Sequence, residues 1–356
     1  MSFTTVTRLT SAMVAGGLLV ELDPRRTAGR VGAGRPETPL DFAPGGRLLV
    51  GVHIRRDATT ASVFDLGGAR LSSTRVAHEP GSTAAEVVRR AVRAVAELIE
   101  GAGAGRVLGV GVSTGGRVDH DRRTVVESPL LGWDNVDLGA PFDALGLPVH
   151  VDTSVRCLAL MDLWGRGGGS GDTSLTILVA GVVGAALIVD RRLLRGPGAT
   201  GGEVEHFPVA GGPGERCRCG RIDCLGQVVS NRGLHARAAA AGVAPPDVAW
   251  NDLVAADSPA VAAMRQDRAR WLGESTGALI ELLNPATTTI TGFLGDRADV
   301  DETLRVARER CRDLLGGPER SIVYRPIDQD VWDRASASLV LDDFLRRPTG
   351  YEPALR

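Results

Sequence analysis

Glu203-Val-Glu-His206-Phe-Pro-Val-Ala-Gly-Gly-Pro-Gly-Glu-Arg-Cys217-Arg-Cys219-Gly-Arg-Ile-Asp-Cys224 is the stretch from which the rest of this chain is read. It holds three of the 5 cysteines and a histidine just upstream of them. Four nitrogen and sulfur donors grouped in this way suit tetrahedral Zn²⁺, whose structural sites are closed by four Cys and His ligands. Gly211, Gly212, Gly214 and Gly220 allow the backbone to wrap an ion. The alternatives are three free, partly buried thiols, or a disulfide with one cysteine left over. A Cys217–Cys219 disulfide would be strained, and nothing else in the chain points to secretion. His206, Cys217, Cys219 and Cys224 are therefore the expected ligands of a structural zinc.

The 356 residues suffice for two or three domains with a substantial core. Hydrophobic content of 43% and charged content of 24% are those of an ordinary globular chain. A net charge of −2 gives no overall attraction to nucleic acid, so any such contact must be local. No apolar run approaches the roughly 18 residues of a membrane span, and no signal peptide opens the chain. Thiols serving as metal ligands imply a reducing compartment, so a cytoplasmic location is expected. The sequence has no lysine, and its 41 basic residues are all arginine. Any mechanism that needs a Walker lysine or a Schiff base is thereby excluded.

Gly202, Glu203 and His206, followed by Cys217, Cys219, Gly220, Cys224 and Leu225, resemble a signature of the ROK family of repressors, uncharacterised reading frames and sugar kinases. That family carries Gly-Glu-x-Gly-His and then Cys-x-Cys-Gly-x-x-Gly-Cys-Leu-Glu. Glu205, Asp223 and Gly226 depart from the pattern. The resemblance implies an α/β fold of two actin-like, sugar-kinase lobes. Local patterns agree: a buried-strand run at 48–54, a glycine-turn hairpin over 60–77, and a capping box at Thr83–Glu86 opening a helix. Further strands are expected at 107–112, 175–180, 184–189 and 287–291, with helices over 258–283 and 330–346. Trp133 is read as core. Leu304, Ala307, Cys311 and Leu314 share one helical face, which makes Cys311 a core residue. The expected divisions are 46–150 for the first lobe, 151–335 for the second with its zinc site, and 336–356 for a closing helix and tail.

The same resemblance implies that Glu203, His206 and Gly116 face a sugar-type ligand. It also implies that kinase chemistry has been lost. Where the family's kinases place Asp-x-Gly-Gly-Thr against phosphate, this chain has His53-Ile-Arg55-Arg56-Asp57. A phosphate turn needs glycines for close approach of backbone N–H groups. Ala180-Gly-Val-Val-Gly184 and Thr291-Gly292 are altered counterparts of two further nucleotide turns. In Asp152-Thr153-Ser154-Val-Arg156, Ser154 stands where the kinases have the aspartate that accepts the hydroxyl proton, and Arg156 replaces an asparagine. A serine hydroxyl cannot act as a base near neutral pH. Gly226, in place of a glutamate, reads as another lost sugar contact.

Residues 1–45 read as a partial winged helix-turn-helix, comprising a recognition helix and a wing. Ser2 to Ala15 patterns as a short helix closed by Gly16 and Gly17, with Val6, Leu9 and Met13 on one face. A strand over 18–22 and a basic, Pro/Gly-rich loop follow. Thr4, Thr7 and Arg8 would meet base edges, and Arg25, Arg26, Arg30 and Arg35 would meet phosphate. The resemblance to family regulators starts in mid-motif, so the winged helix is expected to be N-terminally truncated. The leading expectation is a non-enzymatic transcriptional regulator of this family, a repressor that senses a sugar, binds operator DNA and forms a homodimer or homotetramer. The alternatives are an ATP-dependent sugar kinase and a zinc-stabilised sugar-binding or scaffold protein that does not bind DNA.

Overall fold

The computed structural model describes residues 2–23, 38–165, 172–312, 321–328, 330–347 and 351. Helix α1 (Phe3–Ala15) begins at Ser2, whose hydroxyl accepts the Thr5 N–H, and ends at Gly16. Strands β1 (Leu19–Glu21) and β2 (Leu40–Phe42) then pair antiparallel. This short helix and two-stranded hairpin are the whole N-terminal element among the described residues.

The first lobe is built on β3 (Leu48–Ile54), β4 (Ala58–Asp65), β5 (Arg70–Ala77), helix α2 (Ala84–Ala102) and β6 (Val107–Thr114). Every residue of β3 is buried, as its unbroken apolar run requires for a strand covered on both faces. Thr83 and Glu86 form the expected reciprocal cap on α2, whose Val88, Val95 and Ile99 pack into the core. An arm of β7 (Arg117–Asp119), β8 (Thr124–Ser128) and β9 (Trp133–Asp137) follows, with Trp133 8% exposed in the core. Helix α3 (Gly139–Asp143) leads to β10 (Val149–Thr153), and the sheet order is β10-β6-β3-β4-β5.

Helix α4 (Ser154–Trp164) crosses to the second lobe, which opens with β11 (Ser174–Val179), β12 (Val183–Val189) and β13 (Arg192–Leu193). After the cysteine-rich loop come α5 (Leu225–Val229), α6 (Asn231–Ala240), α7 (Trp250–Ala255) and α8 (Pro259–Leu283). The Ser258 hydroxyl caps α8, and left-handed Asn284 ends it. Then come β14 (Thr287–Gly292), α9 (Arg297–Arg310) and β15 (Ser321–Pro326), giving the order β13-β12-β11-β14-β15. Cys311 follows the end of α9 as its cap and is 1% exposed, its thiol donating to the Ala307 carbonyl at 2.9 Å.

Helix α10 (Val331–Arg346) returns to the first sheet and packs on β3, β6 and α4. The approach is close enough to dictate glycine. A Cβ at Gly51 would lie 1.8 Å from the Asp333 carbonyl, and one at Gly111 would lie 2.0 Å from that of Ser336. Through α4 and α10 the two lobes share packed helices, and a cavity opens between them.

Candidate functional site

The four donor atoms of His206, Cys217, Cys219 and Cys224 all lie within 4.8 Å of one another. Cys217 Sγ is 3.5 Å from His206 Nδ1, and Cys219 Sγ is 3.6 Å from Cys224 Sγ. Metal–ligand bonds of about 2.3 Å to sulfur and about 2.0 Å to nitrogen give tetrahedral edges close to these lengths. All five cysteines are free of disulfides. The knuckle is shaped by bonds from the Cys217 N–H to the Arg221 carbonyl at 2.7 Å and from the Gly220 N–H to the Cys217 carbonyl at 2.9 Å. Hydrogen bonds from the Arg221 backbone and side chain lower the Cys219 thiol to about 6, while burial pushes the neighbouring Cys224 thiol up to about 12. The donor set fits Zn²⁺ held structurally, with all four positions supplied by the chain. Helix α5 starts immediately after Cys224, and its Leu225, Val228 and Val229 enter the second lobe's core. The ion would thus anchor a loop to a packed helix.

The departures from the family pattern have local explanations. Asp223 occupies a left-handed conformation (φ 50°), which accounts for a glycine in that place elsewhere. Its carboxylate accepts the N–H groups of Gly214 at 3.1 Å and Glu215 at 2.8 Å. Glu205 and Gly226 are a reciprocal exchange. A Cβ at Gly226 would lie 2.3 Å from Glu205 Cγ, so the Glu205 side chain fills the space a residue 226 side chain would use. Glu205 lies near Arg232 at 3.4 Å and Arg218 at 3.8 Å. Arg218 also pairs with Glu127 of β8, tying the cysteine loop to the first lobe.

Glu203, His206 and Gly116 are placed around this region. Glu203 is solvent-exposed at its surface yet crowded by protein, and the resulting desolvation raises its carboxyl against the pull of Arg156. Gly116 has φ 113°, and a Cβ there would lie 2.4 Å from the Glu127 carbonyl, so its backbone alone requires glycine. Between this region and β10 lies an ionic hub that sequence reasoning missed. Asp152, fully buried, accepts from Arg156 and from Arg195, each at 2.9 Å, and from the Thr153 N–H at 2.9 Å. Arg156, 1% exposed, also donates to the carbonyls of Ala199 and Gly201, fastening the loop that leads to Glu203. The signal available beforehand was the (i, i+4) spacing of Asp152 and Arg156 at a strand–helix junction.

A cavity of about 760 Å³ opens between the lobes, lined by residues that include 53–57, Leu130, Ser154, 180–182, Arg232 and Phe293. It brings residues of two of the three altered phosphate turns and Ser154 together, and none of Thr291, Gly292, Glu203, His206 and Gly116 lines it. His53 is buried, accepts or donates to Ser113 Oγ at 2.9 Å and stacks on Trp332 at 5.0 Å. Burial, then the charge of Arg55, lowers its ring to about 3. At Asp57, burial opposes ionisation, but hydrogen bonds from Arg55 and Arg75 outweigh it and hold the carboxyl below its ordinary value. The Ser154 hydroxyl is buried and without a hydrogen-bond partner. Of the titratable groups lining it, Asp57 is tied to Arg55 and Arg75, and the two ring nitrogens of His235 lie 2.7 and 3.0 Å from the carbonyls of Asn231 and Val248.

Thr4, Thr7 and Arg8 are exposed on α1. Val6, Leu9 and Met13 are also exposed, at 44%, 41% and 41%, as expected of a helix face lacking a packing partner. Arg25, Arg26, Arg30 and Arg35 lie outside the described residues. No described helix is long and apolar enough to cross a membrane.

Comparison with known proteins shows relatives of two kinds. A glucokinase of Streptomyces coelicolor is 29% identical over 300 residues, covering 77% of this chain and 90% of the relative. A transcriptional regulator of Mycobacterium tuberculosis is 28% identical over 312 residues, covering 82% of this chain and 68% of the relative. Among solved structures, a ROK family transcriptional regulator described as a homologue of the E. coli MLC protein is similar with a TM-score of 0.74. Its identity is 21%, and the match covers 100% of this chain and 92% of that one. A ROK family glucokinase from Streptomyces griseus, in complex with glucose and AMPPNP, gives a TM-score of 0.65 at 26% identity. That match covers 83% of this chain and 99% of the other. The two-lobed fold, the four-donor metal cluster and a family model matching residues 49–337 together place the assignment beyond the resemblance of short motifs: the chain belongs to the ROK family.

Proposed function

We propose that this chain is a ROK transcriptional regulator, a repressor, that has no kinase activity. Its zinc-ordered second lobe responds to a sugar or sugar derivative held near Glu203 and His206. The observation that carries the reading is Ser154, at the place where a phosphotransferase of this fold needs a base, with its hydroxyl buried and unpartnered. Asp152 cannot substitute, because both its oxygens are engaged by Arg156 and Arg195. The replaced phosphate turn points the same way, since Arg55 is held against Asp57 in a two-point ion pair of 3.1 and 2.8 Å. The regulator relatives and the exposed Thr4, Thr7 and Arg8 support DNA contact through α1. Ligand binding would act by linkage: a lobe arrangement favoured by the ligand changes the spacing of DNA-reading elements in a dimer or tetramer.

The kinase alternative is favoured by the 29% identity to one glucokinase and by the likeness to the solved structure of another. A coupled assay with ATP and a panel of glucose, N-acetylglucosamine and mannose separates the two. The expected result is no phosphorylation above background, for the natural chain and for Ser154→Asp alike, because the nucleotide turns remain altered in both. Turnover by the natural chain of even about 1 per second, ordinary for an enzyme, would refute the reading.

A further inference from the structure

The inter-lobe cavity has a character of its own. Arg55, Arg56 and Arg232 line it together with one carboxylate, Asp57, which Arg55 and Arg75 already hold. Three arginines against one lining carboxylate leave the wall net positive, with Glu205, outside the cavity, 3.4 Å from Arg232, and a net positive cleft concentrates anions. Helix α4 directs its N-terminus at the same space: Ser154 is its first residue, and no side chain caps the helix. The hydroxyls of Thr153 and Ser154, 5% and 4% exposed, have no hydrogen-bond partner. Buried hydroxyls are nearly always partnered, and an uncapped helix start is a natural anion site. Leu130, Leu131, Trp250, Phe293 and Trp332 supply apolar surface to the wall, beside the polar Asn231, His235 and Asn251. Phe293 is 38% exposed, a large ring left facing the opening.

We propose that this cavity binds a small amphipathic acid, an aromatic or branched apolar body carrying a single anionic group. The anionic group meets the N-terminus of α4 and the Ser154 hydroxyl, with Arg56 and Arg232 adding charge at the mouth. The apolar body lies against Leu130, Trp250 and Phe293. A neutral sugar brings no anion to the α4 N-terminus, and a nucleotide would need the glycines that 53–57 lacks. The volume of about 760 Å³ is that of an ordinary small-molecule site. Because the ligand touches both lobes, its binding favours one lobe arrangement over others. The proposal does not depend on operator recognition: loss of either one leaves the other standing.

The test is a fluorescence titration of the full chain with 1-anilinonaphthalene-8-sulfonate, an aromatic acid that brightens on leaving water. Saturable binding at one site per chain is expected, displaced by phenylacetate but not by its neutral amide, by glucose or by ATP. Ser154→Asp sets a negative charge at the α4 N-terminus, which favours the helix and so preserves folding. Its affinity for the probe should fall at least tenfold, with a thermal melt confirming the folded state. The double substitution of Arg56 and Arg232 by alanine should give a similar loss. Unchanged binding in both variants, equal displacement by the amide, displacement by ATP, or no saturable binding would each overturn the proposal.

Discussion

Arg156→Ala is expected to destabilise the protein by about 3–5 kcal/mol, the usual effect of removing one partner from a buried ion pair. Asp152 is fully buried, and Arg156 is 1% exposed. Without Arg156, the carboxylate keeps Arg195 but loses the 2.9 Å bond to Oδ1. The carbonyls of Ala199 and Gly201 lose their donor at the same time, which frees the loop before Glu203. Urea denaturation should show the loss as a lower midpoint with an unchanged slope. Asp152→Asn combined with Arg156→Met should recover part of the stability, because the stranded charge is gone. If Arg156→Ala were neutral, the hub would not be holding this part of the cleft.

Removal of zinc is expected to have an effect of comparable size. A ligand present at about 1,000 times its dissociation constant adds about 4 kcal/mol to stability. For a chain of 356 residues that corresponds to a melting temperature lower by roughly 5 °C in chelator. Protein purified without added metal should contain about one zinc per chain, as four protein ligands require. Cys219→Ser should lower that content and the melting temperature together. Cys311→Ser should leave the metal content unchanged, because Cys311 is buried beside α9 and lies outside the cluster. Metal-free protein of equal stability would remove zinc from the account.

Patterns set by neighbours in the chain were legible, and those set by distant partners were not. The buried run of β3, the Thr83–Glu86 cap and the Ser258 start of α8 depend on local spacing, and each is found. The metal ligands were legible because their chemistry is concentrated in one loop. The Asp152 hub draws on Arg195, 43 residues away, and only folding shows that proximity. The Glu205–Gly226 contact was visible as two separate departures but not as one packed pair, because it crosses the cysteine loop. Close packing of α10 against Gly51 and Gly111 was hidden for the same reason. At the N-terminus the expected helix and first strand are found, but a winged helix is not evident beyond this short helix and hairpin among the described residues, and the four wing arginines fall outside them.

The most direct measurement of the regulator reading is fluorescence anisotropy of the chain with fragments of its own promoter region, repeated at several salt concentrations. The account predicts binding that weakens with salt by a log–log slope of about −0.9 per phosphate contact. Arg30→Ala should weaken binding to all sequences alike, whereas Arg8→Ala should relax preference among them, with Thr7→Ala doing so less. Binding with no sequence preference, or none at all at low salt, would contradict the account and leave a zinc-stabilised binding protein in its place.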